Sequence, residues 1–137
     1  KNLAKLTPKE GGTLLDDTSF QRKLNETEIQ LESIQYTEFR LMAALAKGES
    51  PGPESSVLKT LSADIQQQLT ELSVEAIAEF AAAHQPEART VGADTVSIGH
   101  DDGKMAFTQY FNLRASSIAG GTNEVQKNII AKMVLGL

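Results

Sequence analysis

The stretch Asp16-Asp17-Thr18-Ser19-Phe20, continued through Ala46 and closed by Lys47-Gly48-Glu49-Ser50-Pro51-Gly52-Pro53, decides the fold. Two acids ahead of Thr18 suit the positive end of a helix dipole. Phe20, Leu24, Thr27, Leu31, Ile34, Leu41 and Leu45 then recur at intervals of three, four or seven, the seam of one long amphipathic helix. Ile29, Tyr36 and Phe39 widen the stripe, so this helix is expected to meet more than one neighbour. Gly48 suits the position just past a helix end, and Pro51 and Pro53 forbid continuation. A second long helix follows, with Ser55 or Ser56 as its cap and an apolar face of Val57, Leu58, Leu61, Ile65, Leu69, Leu72, Ala76 and Phe80, ending near Ala82 or Ala83. A short link between two long helices implies antiparallel packing.

Working outward, residues 1–16 contain Pro8 and Gly11-Gly12 and read as an irregular lead-in. Residues 84–103, with Pro86, Gly92, Gly99 and Asp101-Asp102-Gly103, read as loop. A third helix is predicted over 104–117, with Met105, Phe107 or Thr108, Phe111 and Ile118 as core contacts. A fourth is predicted from Asn123 to about Leu135, with Val125, Ile129, Ile130, Met133 and Val134 turned inward. The expected fold is all-α, an antiparallel up-and-down four-helix bundle over 1–137, the whole chain being one domain.

Composition excludes several functions. A net charge of −5 with scattered Lys and Arg argues against nucleic acid and anionic membrane surfaces. No apolar run approaches the length of a membrane span. The absence of cysteine rules out disulfides and thiolate chemistry and fits a reducing, cytoplasmic setting. His84 and His100 stand apart, and His100-Asp101-Asp102 has too few ligands for zinc or calcium, so no metal is expected. Asn25-Glu26-Thr27 fits a glycosylation pattern but lies inside a predicted helix. The chain begins at Lys1 rather than Met, and the expectation is a piece of a longer polypeptide.

Chemistry concentrates at Gly120-Gly121-Thr122-Asn123-Glu124-Val125-Gln126. Two glycines break one helix, and Thr122 or Asn123 opens the next, with Gln126 placed for a capping box with Asn123. First-turn N–H groups lack partners within a helix, so such a start suits an anion or a phosphate-bearing ligand. On spacing alone, a plain helix–turn–helix corner is the commoner meaning.

The run from Ser117 through Ile118-Ala119-Gly120-Gly121-Thr122-Asn123-Glu124-Val125-Gln126-Lys127-Asn128-Ile129-Ile130 to Leu137 resembles the C-terminal signature of the acyl-CoA dehydrogenase family. Leu14-Leu15-Asp16-Asp17, Glu28-Ile29-Gln30-Leu31-Glu32, Tyr36-Thr37-Glu38-Phe39-Arg40, Pro51 to Lys59 and Gln109 to Arg114 extend the resemblance over the family's C-terminal helical domain. The nearest subgroup is the large subunit of pimeloyl-CoA dehydrogenase and related bacterial enzymes.

That resemblance implies a part of an FAD-dependent oxidoreductase that converts an acyl-CoA to the 2,3-enoyl-CoA. It also implies an electron-transfer acceptor protein and a homo- or hetero-oligomer whose core this domain builds. By resemblance, Gly121, Thr122, Asn123 and Glu124 touch FAD, and Ala119 and Gly120 lie at the substrate. In one branch of the family a Glu base stands at the position matched by Gly120, preceded by an aromatic residue where this chain has Ala119. Gly120 has no carboxylate, so no catalytic residue is expected here, and the chain alone is expected to be inactive. The base is then expected upstream of Lys1, in a partner subunit, or nowhere in a non-catalytic subunit. The rival expectation is a helical interaction module without enzyme activity. Helix faces that have lost their neighbours imply that the isolated chain self-associates.

Overall fold

The computed structural model describes residues 1–87, 90–92 and 94–137. The irregular stretch expected over 84–103 therefore includes three positions, 88, 89 and 93, outside the described residues. The architecture is all-α. Helix α1 spans Asn2–Leu6, and strands β1 (Pro8–Lys9) and β2 (Gly12–Thr13) form a minimal antiparallel hairpin. The long helices α2 (Thr18–Ala46) and α3 (Glu54–Ile77) follow, then α4 (Ala106–Leu113) and α5 (Asn123–Ile130). Helix α3 is the hub, packed against α1, α2, α4 and α5.

Helix α2 starts as its sequence dictates. The Asp17 side chain accepts from the Phe20 N–H at 2.8 Å and caps the helix. Lys9, then that N–H, holds the Asp17 carboxyl below the ordinary carboxylate range. At the other end Gly48 takes φ +83°, the left-handed conformation a glycine accepts without a Cβ clash. The cap of α3 differs from expectation. Pro53 occupies it, and Ser55 and Ser56 fall in the first turn, where the Ser55 hydroxyl turns back to the Gly52 carbonyl at 2.9 Å.

Antiparallel pairing of α2 with α3 brings the start of one to the end of the other. Phe20 (2% exposed) meets Leu72 and Ala76 there, and Lys23 reaches Glu75 at 2.9 Å. The lead-in completes this cluster instead of remaining irregular. Ala4 and Leu14 are buried in it, Leu3 and Leu15 pack beside it, and the Thr7 hydroxyl donates to the Ala76 carbonyl. Elements this short have no stability of their own and form only on a surface that accepts their apolar side chains.

The predicted seams overstate burial elsewhere. Leu31 and Leu45 of α2, Leu61 and Leu69 of α3, and Phe80 beyond it are exposed. Phe111 and Ile118 are exposed where core contacts were expected, and Ala106 is the buried residue of α4. Val125, Ile129, Met133 and Val134 are exposed as well. Helix α3 instead buries Ala63, Thr70 and Ile77 alongside Ile65, Leu72 and Ala76, because it has neighbours on several sides. The third and fourth helices are also shorter as α-helix, ending in a 3₁₀ turn (Arg114–Ser117) and a π turn (Ala131–Leu135).

Helix α3 stops at Ile77 because Ala78 adopts φ +49°, after which a 3₁₀ turn runs Ala78–Ala82. A side chain at positive φ costs roughly 1–2 kcal/mol. Glycine avoids that cost but loses about 0.4–1 kcal/mol through the freer unfolded chain. Ala78→Gly is therefore expected to raise stability by up to about 1 kcal/mol, read as a higher urea midpoint at unchanged slope. A lower midpoint would show that the turn is unstrained.

Candidate functional site

The segment from Arg114 to Glu124 is fastened to α3 at both ends and bare in the middle. Arg114 is the first fastening. Its guanidinium donates to Glu71 Oε1 at 2.7 Å, to the Gln67 carbonyl at 2.9 Å and to Thr70 Oγ1 at 3.1 Å, while its Nε donates to the Tyr110 carbonyl at 3.3 Å. It also lies 4.5 Å from the centre of the Tyr110 ring. Gln67 answers by donating to the Arg114 carbonyl at 3.2 Å. One planar fork thus satisfies a buried threonine, a helix carbonyl and a carboxylate, geometry that lysine lacks.

The second fastening is the start of α5. Thr122 is the cap, its Oγ1 accepting from the Val125 N–H at 3.3 Å. The expected box between Asn123 and Gln126 does not form. Gln126 Nε2 turns instead to the Gly120 carbonyl at 3.4 Å, and the Asn123 side chain leaves the helix to meet Lys59 and Asp64 on α3. Of the four residues expected at a cofactor, Thr122 and Glu124 therefore stay at the helix start, Gly121 supplies backbone, and Asn123 is spent on tertiary contacts.

Between the fastenings, Gly120 and Gly121 take φ +70° and +93°. A Cβ built at Gly120 meets nothing within 4 Å, so the loop crest is open there, whereas a Cβ at Gly121 would stand 2.8 Å from Gln126 Nε2. Ala119 precedes it on the rim of an open groove of about 460 Å³ between α3 and α4, whose walls include Lys59, Ala63, Gln66, Asn112 and Ser116. The structure thus brings Ala119 to a groove and leaves Gly120 at the crest beside it.

The electrostatics of the α5 start are specific. The Glu124 carboxyl is held below its ordinary range, first by its own backbone N–H, then by the Thr122 hydroxyl, with Lys127 and Lys59 adding smaller attractions. Glu124 is therefore ionised at neutral pH and acts only as an acceptor. The site offers the positive end of a helix dipole beside a carboxylate that accepts from a hydroxyl or amino group, the Val125 and Glu124 N–H groups being taken by Thr122 Oγ1 and by the Glu124 carboxylate.

Other polar clusters have local duties. His100 Nδ1 accepts from the Asp102 N–H at 3.2 Å and so caps a 3₁₀ turn. Thr27, the hydroxyl residue of the glycosylation pattern, is 3% exposed and bonded to the Lys23 carbonyl. Among the described residues no three His, Cys, Asp or Glu side chains gather as a metal site, and no helix is long and apolar enough to cross a membrane.

Comparison with known proteins agrees with the fold. A family model described as acyl-CoA dehydrogenase, C-terminal domain, matches residues 2–135. A solved chain in the ChsE4–ChsE5 complex from Mycobacterium tuberculosis is similar in structure, with a TM-score of 0.70 and 26% identity over 99% of this chain. The match covers 32% of that longer chain, so the present chain spans about a third of its length. No protein of curated function matches.

Proposed function

The chain belongs to the acyl-CoA dehydrogenase family through its C-terminal domain, and from that premise we propose that it is the helical C-terminal domain of an FAD-dependent enzyme oxidising an acyl-CoA to the 2,3-enoyl-CoA. Support for a domain of a larger protein comes from the family description and from the one-third coverage of the similar solved chain. The observation that carries the flavin reading is the open Gly120-Gly121 crest running into a Thr122-capped helix.

The residues present fit the adenosine diphosphate end of FAD. At Gly120 no side chain would hold a ligand off the backbone. The α5 start supplies the positive end of a helix dipole for phosphate oxygens. Ionised Glu124 repels phosphate and suits a ribose hydroxyl or the adenine amine instead. The chemistry FAD supplies when bound is acceptance of a hydride from the acyl chain. This chain's part is to bind, orient and wall off that reaction. It supplies no base at Gly120, so the proton-accepting carboxylate belongs elsewhere in the intact protein or in a partner subunit, and the chain alone turns nothing over. Ala119, small and on the rim of the groove, leaves room for the acyl-CoA. The partners of the intact enzyme would be the acyl-CoA and an electron-transfer acceptor protein, in the cytoplasm.

In the full-length protein, Thr122→Val and Glu124→Ala are each expected to weaken FAD binding by about tenfold, since each removes one hydrogen bond of roughly 1.4 kcal/mol or more. Flavin fluorescence titration reads this. Unchanged affinity in both variants would remove the α5 start from the cofactor site.

A second reading is favoured by a specific observation. The similar solved chain comes from a complex of two different proteins, and Gly120 lacks the carboxylate of one branch. The protein would then be one subunit of a mixed oligomer, with the base in its partner. Purification of the full-length protein from its own cells decides between a second polypeptide at fixed stoichiometry and a homo-oligomer.

A further inference from the structure

The crest of the site touches little, so something must set where it stands. Ile118 is 65% exposed, Gly120 has no neighbour at its Cβ position, and two successive glycines hold positive φ. Local bonds hold each side to its own helix: the Ile118 and Ala119 N–H groups donate to the Ala115 carbonyl at 3.0 and 2.9 Å, and Gln126 Nε2 donates to the Gly120 carbonyl at 3.4 Å. On the outgoing side, Val125 is 49% exposed and Ile129 is 37% exposed, so apolar packing of α5 is thin.

One ammonium reaches both sides. Lys59 Nζ on α3 donates to Asn123 Oδ1 at 2.9 Å and to the Ser117 carbonyl at 3.4 Å. Ser117 is the last residue before the loop, and Asn123 is the first residue of α5. Asn123 Nδ2 in turn donates to Asp64 Oδ1 at 3.4 Å, which fixes the amide with its oxygen toward Lys59. Lys59 is half-buried, where a charge-assisted hydrogen bond is stronger than a neutral one.

We propose that Lys59 is a positioning residue, a two-point clasp that draws together the ends of the Ile118–Thr122 loop and so fixes the presentation of Thr122 and Glu124 to the cofactor. The clasp rests on the flavin reading for its purpose, and on the geometry of Lys59, Ser117 and Asn123 for its existence. Lys59 acts through Asn123 and Ser117, and its ammonium adds a smaller direct attraction to the Glu124 carboxylate.

The test uses the full-length protein with Lys59→Met, Lys59→Arg and Asn123→Ala, read by FAD titration and by hydrogen exchange of the 118–125 segment in the apoprotein. Lys59→Met keeps the apolar stem and removes the donor. It is expected to weaken FAD binding about tenfold and to raise exchange in 118–125, with exchange around Phe20 unchanged. Lys59→Arg keeps a donor within reach of Asn123 and is expected to recover most of both losses, which a merely structural stem would not require. On exchange, Lys59→Met combined with Asn123→Ala is expected to cost less than the sum of the two single variants, because they share the Lys59–Asn123 bond. Unchanged FAD affinity and unchanged exchange in Lys59→Met would overturn the clasp and leave the flavin reading standing. Raised exchange in a protein whose wild type takes up no FAD would establish the clasp and end the flavin reading.

Discussion

Phe20→Ala is expected to cost about 3–5 kcal/mol, the largest loss from any single truncation in this chain. Phe20 is 2% exposed and is the largest fully buried side chain among the described residues. It sits where three separate parts of the chain meet: Ala4 and Leu14 from the lead-in, Leu24 from its own helix, and Leu72 and Ala76 from α3. Removing the ring leaves a cavity that Ala4 and Ala76, already small, cannot fill. The lead-in loses the ring that its buried Ala4 and Leu14 pack around, so it is expected to detach first. Urea unfolding should therefore show a lower midpoint and also a smaller slope, since less surface is left to expose. Phe39→Ala is the control. Phe39 is 57% exposed, and its truncation is expected to change stability by less than about 0.5 kcal/mol. Equal losses at the two positions would contradict this placement of the core.

Gly103→Val is the second large effect. Gly103 is buried in the 3₁₀ turn before α4, and a Cβ there would stand 2.5 Å from Ile77 Cγ2 and 3.7 Å from Leu3 Cδ2. Its φ lies outside the left-handed range, so the conflict is one of space rather than backbone conformation. Valine adds two further methyl groups to a contact already too close. Overpacking of this kind costs typically 1–3 kcal/mol, and the upper end is expected because Ile77 is itself buried at the end of α3. The mechanism predicts a partner. In an Ile77→Ala background the obstructing methyl is gone, and the penalty of Gly103→Ala is expected to shrink by about 1 kcal/mol or more in a double-mutant cycle. An unchanged penalty would place the strain elsewhere.

These two residues also mark the limit of what the sequence disclosed. Both ends of α2 were legible, because Asp17 and Gly48 use side-chain and backbone chemistry that acts locally. Thr122 as a cap was legible for the same reason. The lead-in was not, since five helical residues and two two-residue strands carry no periodicity, and only contact with Phe20 and Ala76 orders them. The stripe of α5 was read as turned inward and is largely exposed, while the seam of α2 was read as seeking more than one neighbour and buries Phe20 and Thr27. A stripe says which face seeks cover, and it does not say whether these 137 residues provide it. Gly103 read as a turn glycine, although its need for small size comes from Ile77, twenty-six positions away in sequence.

At the site, the glycine crest and the helix start were legible, and the two clamps were not. In the sequence Arg114 and Lys59 figure only as the ends of the stretches Gln109 to Arg114 and Pro51 to Lys59. Their partners, the Gln67 carbonyl, Thr70 Oγ1, the Ser117 carbonyl and Asn123, become visible only when α3 lies against the later helices. The Asn123–Gln126 box failed because Asn123 found a stronger partner in a half-buried ammonium than in its own first turn.

The most direct test of the central claim is anaerobic titration of the purified full-length protein with acyl-CoA thioesters, following the visible absorption of its flavin. The account predicts about one tightly held FAD per active site and loss of the oxidised flavin band with at least one thioester. A full-length protein that takes up no flavin, even when refolded or incubated with excess FAD, would contradict it.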